Sequence, residues 1–127
     1  SKDISNHCKK GKPIYTWGGR RYYAEEPKIV NGKKRNFYYK MINYLIQGSA
    51  ADCTKEAMIR VNKHIKKIGG RIVLQVYDEL VVWVPTKQVK KGIEIVERGM
   101  TSIEFDVPML VDGKIGRKSW GQATKIK

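Results

Sequence analysis

Ile72-Val73-Leu74-Gln75-Val76-Tyr77-Asp78-Glu79-Leu80-Val81-Val82-Trp83-Val84-Pro85 carries the strongest structural signal in this chain. Two runs rich in β-branched residues flank three polar ones, and a proline closes the second run. This pattern predicts a β-hairpin joined across Tyr77-Asp78-Glu79. Asp78 and Glu79 are the only acidic residues between Ile72 and Pro85. Carboxylates placed inside so apolar a segment cost free energy unless they lie at an exposed turn or bind something positive. Two readings stay open from spacing alone: an ordinary polar turn, or a metal-binding or proton-handling edge. Asn-Gly or Asp-Gly would be the usual filling of a plain turn. Neighbouring strand residues tend to point to opposite faces, so adjacent carboxylates make poor joint ligands, and a two-metal site needs at least one further carboxylate.

Upstream, Gly69-Gly70 ends a helix whose apolar residues Ala50, Cys53, Ala57, Val61, Ile65 and Ile68 follow three- and four-residue spacing. Lys55, Lys63, Lys66 and Lys67 lie mostly off that face. Ser49 is the expected N-cap, with Asp52 in the capping-box position. A short helix over 37–42 should break at 43–46 before it. Downstream, Thr86 is placed to cap a helix bearing Val89, Ile93, Val96 and Met100, and 107–115 reads as a third strand interrupted by Asp112-Gly113. Residues 1–36 read as loop and short strand: Ile14 to Trp17 and Arg20 to Tyr23 form a basic, aromatic hairpin about Gly18-Gly19, and 31–36 is a second cation-rich loop. The expected fold class is α+β, an antiparallel sheet with helices packed on one face and a basic, loop-rich N-terminal part.

The whole is 127 residues with 26 Lys and Arg against 12 Asp and Glu, a formal charge of +14. That length allows one domain with a real core. The charge is uneven: residues 1–71 hold 17 basic and 5 acidic residues, and residues 72–127 hold 9 and 7. Such asymmetry marks a nucleic-acid or anionic-membrane contact, with a merely solubilising surface as the bland alternative. No apolar run approaches the roughly 20 residues of a membrane span, so no membrane partner is expected. Cys8 and Cys53 form no disulfide framework, and with His7 and His64 they lack zinc-site spacing. A reducing cytoplasm fits these features.

Four segments in register extend the argument. Leu74-Gln75-Val76-Tyr77-Asp78-Glu79-Leu80 resembles the C motif of family A DNA polymerases, the bacterial DNA polymerase I group, whose usual form is Leu-Gln-Val-His-Asp-Glu. Asn43-Tyr44-Leu45-Ile46-Gln47-Gly48-Ser49-Ala50-Ala51-Asp52 is similar to the family's Asn-x-Pro-x-Gln-Gly-Thr-Ala-Ala-Asp. Trp17-Gly18-Gly19-Arg20-Arg21-Tyr22 is similar to the Phe-Gly-Arg-Arg-Arg-Tyr stretch after the fingers. Gly113 to Gly121 resembles the closing strand and tail. Tyr77 stands in place of the usual His, and Leu45 in place of a Pro.

The resemblance implies roles. Residues 1–36 would be the basic segment following the fingers, and 37–127 the C-terminal portion of the palm. Asp78 would be one of two metal-ligand aspartates and Glu79 a nearby carboxylate, serving two Mg²⁺ ions roughly 3.5 to 4 Å apart in nucleotidyl transfer. Asn43 and Gln47 would face the minor groove near the primer terminus, where amide donors meet acceptors common to every base pair. Tyr77 would donate to the primer end, and Arg20 and Arg21 would lie near the phosphate backbone. The implied partners are primer–template DNA, deoxynucleoside triphosphates and an upstream part, the fingers and remaining palm with the second aspartate, in the same or another chain. A bacterial or phage-infected cell is the implied setting. A second function class is a stand-alone basic DNA-binding module without polymerase activity.

Overall fold

The structure, a computed structural model, describes residues 2–104 and 108–126. It divides into two compact units, Ser1–Cys53 and Thr54–Lys127.

The first unit opens with a helix, α1 (Lys2–Lys9), where loop and strand were expected. Ile4 and Cys8, one turn apart, bring its apolar stripe onto Ile14 and Met41, and that burial outweighs an otherwise polar sequence. The expected basic hairpin follows as β1 (Ile14–Tyr15) and β2 (Arg21–Tyr22), with Ile14 opposite Tyr22. The second cation-rich loop is itself a hairpin, β3 (Lys28–Val30) and β4 (Lys33–Arg35). Asn31 and Gly32 turn it with φ of 52° and 74°, the two positive values that a type I′ turn requires.

The expected break near 43–46 does not occur. One 28-residue helix, α2 (Tyr38–Ile65), runs from the first unit into the second. It contains no proline, Leu45 continues the helix, and Met41, Tyr44 and Leu45 pack on the first unit's core. Tyr44 also stacks on Tyr22 with ring centroids 5.5 Å apart. These contacts offset the weak helix propensity of Asn43 and Gly48. Ser49 and Asp52 consequently lie inside the helix, and neither is an N-cap.

In the second unit Ala57, Val61 and Ile65 are buried on the face that the spacing predicted. The helix ends through a 3₁₀ turn, Lys66–Ile68, and Gly69 at φ 80°, whose N–H bonds Lys66 O. Then come β5 (Arg71–Val76) and β6 (Glu79–Trp83), an antiparallel hairpin with a register shift between Ile72 and Leu74. A 3₁₀ turn, Thr86–Gln88, leads into α3 (Val89–Thr101), with no side-chain cap from Thr86. Gly99 lets α3 approach Val61 of α2 closely, and Arg60 Nη1 donates to Ser102 O at 3.0 Å and Oγ at 2.8 Å. The expected strand over 107–115 is shorter. It is β7 (Lys114–Ile115), paired with β8 (Thr124–Lys125) rather than with the β5–β6 hairpin, and Val107 lies outside the described residues. Every strand pair among the described residues is antiparallel, so the α+β class holds.

Candidate nucleic-acid and metal-binding site

The β5–β6 hairpin closes at the Val76–Glu79 pair, leaving Tyr77 and Asp78 as the two turn residues and Glu79 as the first residue of β6. Tyr77 has φ 53° and is 89% exposed, an unusual state for a bulky residue. Gln75 Nε2 donates to Tyr77 O at 3.0 Å and braces the turn. The bulge at Val73 adds twist below it, and at the far end Arg71 lies 5.6 Å from the Trp83 ring centroid. Asp78 and Glu79 are both exposed. Their oxygens are the hard donors that Mg²⁺ takes. Among the described residues no three His, Cys, Asp or Glu side chains gather into a metal-holding group.

Asn43 and Gln47 are exposed and one turn apart on α2, so their amides share a face. In the same unit, Arg21 is exposed and stacks over Tyr23 at 5.6 Å. The β3–β4 hairpin places Lys28 opposite Arg35, a like-charge pair that costs free energy and that a bound anion would relieve. Glu25 Oε1 accepts from Lys40 Nζ at 3.1 Å and from Tyr44 OH at 3.3 Å. The bond from Lys40 is the main reason that the Glu25 carboxyl titrates below its ordinary value. Burial pushes the Cys8 and Cys53 thiols up, as expected for small core residues.

Sequence reasoning missed the residues that hold Arg20. Asp52 Oδ2 accepts from the Thr16 hydroxyl and from Gly18 N at 3.1 Å, and its Oδ1 lies 3.7 Å from Arg20 Nε. Thr16 Oγ1 accepts from Arg20 N at 3.0 Å, and Ser49 Oγ accepts from Trp17 N at 3.0 Å. The one signal available was that Ser49 and Asp52 are three apart and so share a helix face.

Comparison with known proteins matches this arrangement to one family. The sequence profile of DNA polymerase family A covers residues 1–122. DNA polymerase I of Pseudomonas aeruginosa is 36% identical over 116 residues, 87% of this chain and 12% of that protein. DNA polymerase I of Mycobacterium leprae is 38% identical over 125 residues, 95% of this chain and 14% of that one. DNA polymerase theta of Drosophila melanogaster is 31% identical over 97% of this chain and 6% of its own length. The chain thus spans a small fraction of the relatives it matches. Among solved structures, the POL domain of Pol1 from M. smegmatis, in complex with DNA primer-template and dNTP, superposes with a TM-score of 0.71 at 34% identity, covering 85% of this chain and 20% of that one. Matched in sequence over residues 1–122 and in backbone over 85% of its length, the chain belongs to DNA polymerase family A.

Proposed function

We propose that this chain is the C-terminal catalytic part of a template-directed DNA polymerase, which joins a deoxynucleotide to a primer 3′-hydroxyl with release of pyrophosphate. The observation that carries the reading is Asp78, exposed at the tip of a braced hairpin inside a chain matched to the family over residues 1–122. In this reading 1–36 follows the fingers and 37–127 completes the palm. The fingers, the rest of the palm and a second aspartate come from upstream, in the same or another chain.

DNA polymerases of this family are metal-dependent. Asp78 would hold one Mg²⁺, with Glu79 beside it. When bound, the metal lowers the pKa of the 3′-hydroxyl and neutralises charge on the leaving group. This chain's own residues do the remaining work. Asn43 and Gln47 donate to minor-groove acceptors present in every correct pair, so they test pair shape without reading sequence. Tyr77 donates to the primer end. Arg20, Arg21 and the cations of the β3–β4 hairpin bind phosphates, and binding should weaken steeply with salt. No helix among the described residues is long and apolar enough to cross a membrane, and the reading places the enzyme in the cytoplasm of a bacterial or phage-infected cell.

Primer extension by the native complex captured through this chain, before and after Asp78→Ala, tests the reading. Extension should fall to background while the DNA Kd changes by less than about threefold, because the phosphate contacts remain. Extension that survives the change would remove Asp78 from the chemistry. Tight DNA binding by the unaltered complex without extension would leave a basic DNA-binding module instead.

A further inference from the structure

The Thr16–Arg20 turn is secured to α2 by a division of labour between the two oxygens of one carboxylate. Asp52 Oδ2 takes two of the bonds that hold the turn, from the Thr16 hydroxyl and from Gly18 N, beside the one that Ser49 Oγ accepts from Trp17 N. Oδ1 faces the Arg20 guanidinium at Nε, 3.7 Å away. The Asp52 side chain is 10% exposed and that of Arg20 is 50% exposed. The backbone is equally constrained: Thr16 N bonds Arg20 O at 2.9 Å, and Gly19 N bonds Thr16 O at 2.9 Å. Thr16 links the two ends of the device, since its hydroxyl donates to Asp52 and accepts from Arg20 N. Arg20 is thus held at its amide through Thr16 and at its side chain by Asp52.

A free arginine loses much rotamer entropy when it binds one phosphate. Here Nε faces the Asp52 carboxylate in an ion pair at 3.7 Å, while half of the Arg20 side chain stays exposed. A guanidinium oriented from behind presents its fork to a phosphate already aimed, and bidentate phosphate contacts depend on that aim.

We propose that Asp52 is a positioning residue for DNA: its carboxylate orients Arg20 for one phosphate of the primer–template backbone. This rests on the polymerase reading for Arg20 and deepens it. Asp52→Asn separates the two functions of the carboxylate. Its carbonyl oxygen can keep both turn bonds, while its NH₂ group replaces the charged oxygen facing Arg20.

The test is a double-mutant cycle of Asp52→Asn and Arg20→Ala in the full polymerase containing this chain, with primer–template affinity measured by fluorescence anisotropy across a salt series. In the native background Arg20→Ala should weaken binding about tenfold, and in the Asp52→Asn background less than about twofold, as coupled neighbours do. Asp52→Asn alone should lower the slope of log K against log salt by about 0.9, the value of one lost phosphate contact. It should also raise the KM for DNA without lowering kcat, and leave the unfolding midpoint in place. Thr16→Ser, which keeps the hydroxyl, should behave as the native protein. An equal effect of Arg20→Ala in both backgrounds, with an unchanged salt slope, would overturn the positioning role and leave Arg20 as an independent contact. No effect of Arg20→Ala in either background would overturn it together with the DNA-contact reading of Arg20. Extension by the unaltered polymerase, measured separately, shows whether the polymerase reading itself has failed.

Discussion

Gly18 lies so close to Asp52 that no side chain fits between them: a Cβ at this position would stand 2.8 Å from the Asp52 Cγ and 2.9 Å from Oδ2. Gly18 is absent from the positive-φ glycines, so space rather than torsion requires it. Gly19 is the converse, with φ 84° and open surroundings. Gly18→Ala should cost about 1–3 kcal/mol, as overpacking does. It should also displace the Asp52 carboxylate and weaken DNA binding. Urea unfolding and anisotropy on the same variant check both. An alanine tolerated without change would mean that the turn rides off α2 freely.

Tyr77 occupies the left-handed region at φ 53° with almost all of its surface in solvent. A non-glycine residue there carries about 1–2 kcal/mol of backbone strain, and nothing in the packing of so exposed a ring offsets it. Tyr77→Gly should therefore raise the thermal midpoint while slowing primer extension, the opposite signs marking strain kept for function. A faster or unchanged extension rate would deny the Tyr77 hydroxyl any part at the primer end.

Glu25 and Lys40 shift each other in opposite directions. The Glu25 carboxyl is held below its ordinary 4.5, chiefly by the hydrogen bond from Lys40. Lys40 is held above its ordinary 10.5 by the same bond. Glu25 therefore adds stability that is present above pH 4.5 and is lost as pH falls through its folded value. Lys40 adds stability that is present below pH 10.5 and is lost as pH rises through its own. In Lys40→Met the carboxyl resonance of Glu25 should titrate at higher pH by NMR than in the native chain. Titration at the same pH in both would show that Lys40 is not the cause.

The parts of the fold visible in sequence were those built from contacts near in the chain. The β5–β6 hairpin announces itself through paired β-branched runs, and the end of α2 through Gly69-Gly70. Asp78 at the turn was legible for the same reason. Helix α1 was hidden because Ile4 and Cys8 alone make its apolar stripe, and their partners Ile14 and Met41 lie beyond any local window. The β3–β4 strands were hidden because Lys28, Lys33, Lys34 and Arg35 are all exposed and show no alternation, although Asn31-Gly32 marked the turn. Ser49 and Asp52 looked like a helix start since those residue types favour caps. Their side chains instead serve Trp17, Thr16 and Gly18 across separations of 32 to 36 residues, and such a pairing leaves no periodic trace.

Because α2 is unbroken, Asn43, Gln47, Ser49 and Asp52 are numbered along one screw, each residue advancing about 1.5 Å and about 100°. A single inserted or deleted residue between Gln47 and Ser49 would swing the amide pair by about that angle relative to the serine and aspartate that grip the turn. Chain length within this helix is therefore as constrained as residue identity. Related polymerases can be expected to vary in length at the 10–13 and 24–27 connections and to keep the count from Asn43 to Asp52 unchanged.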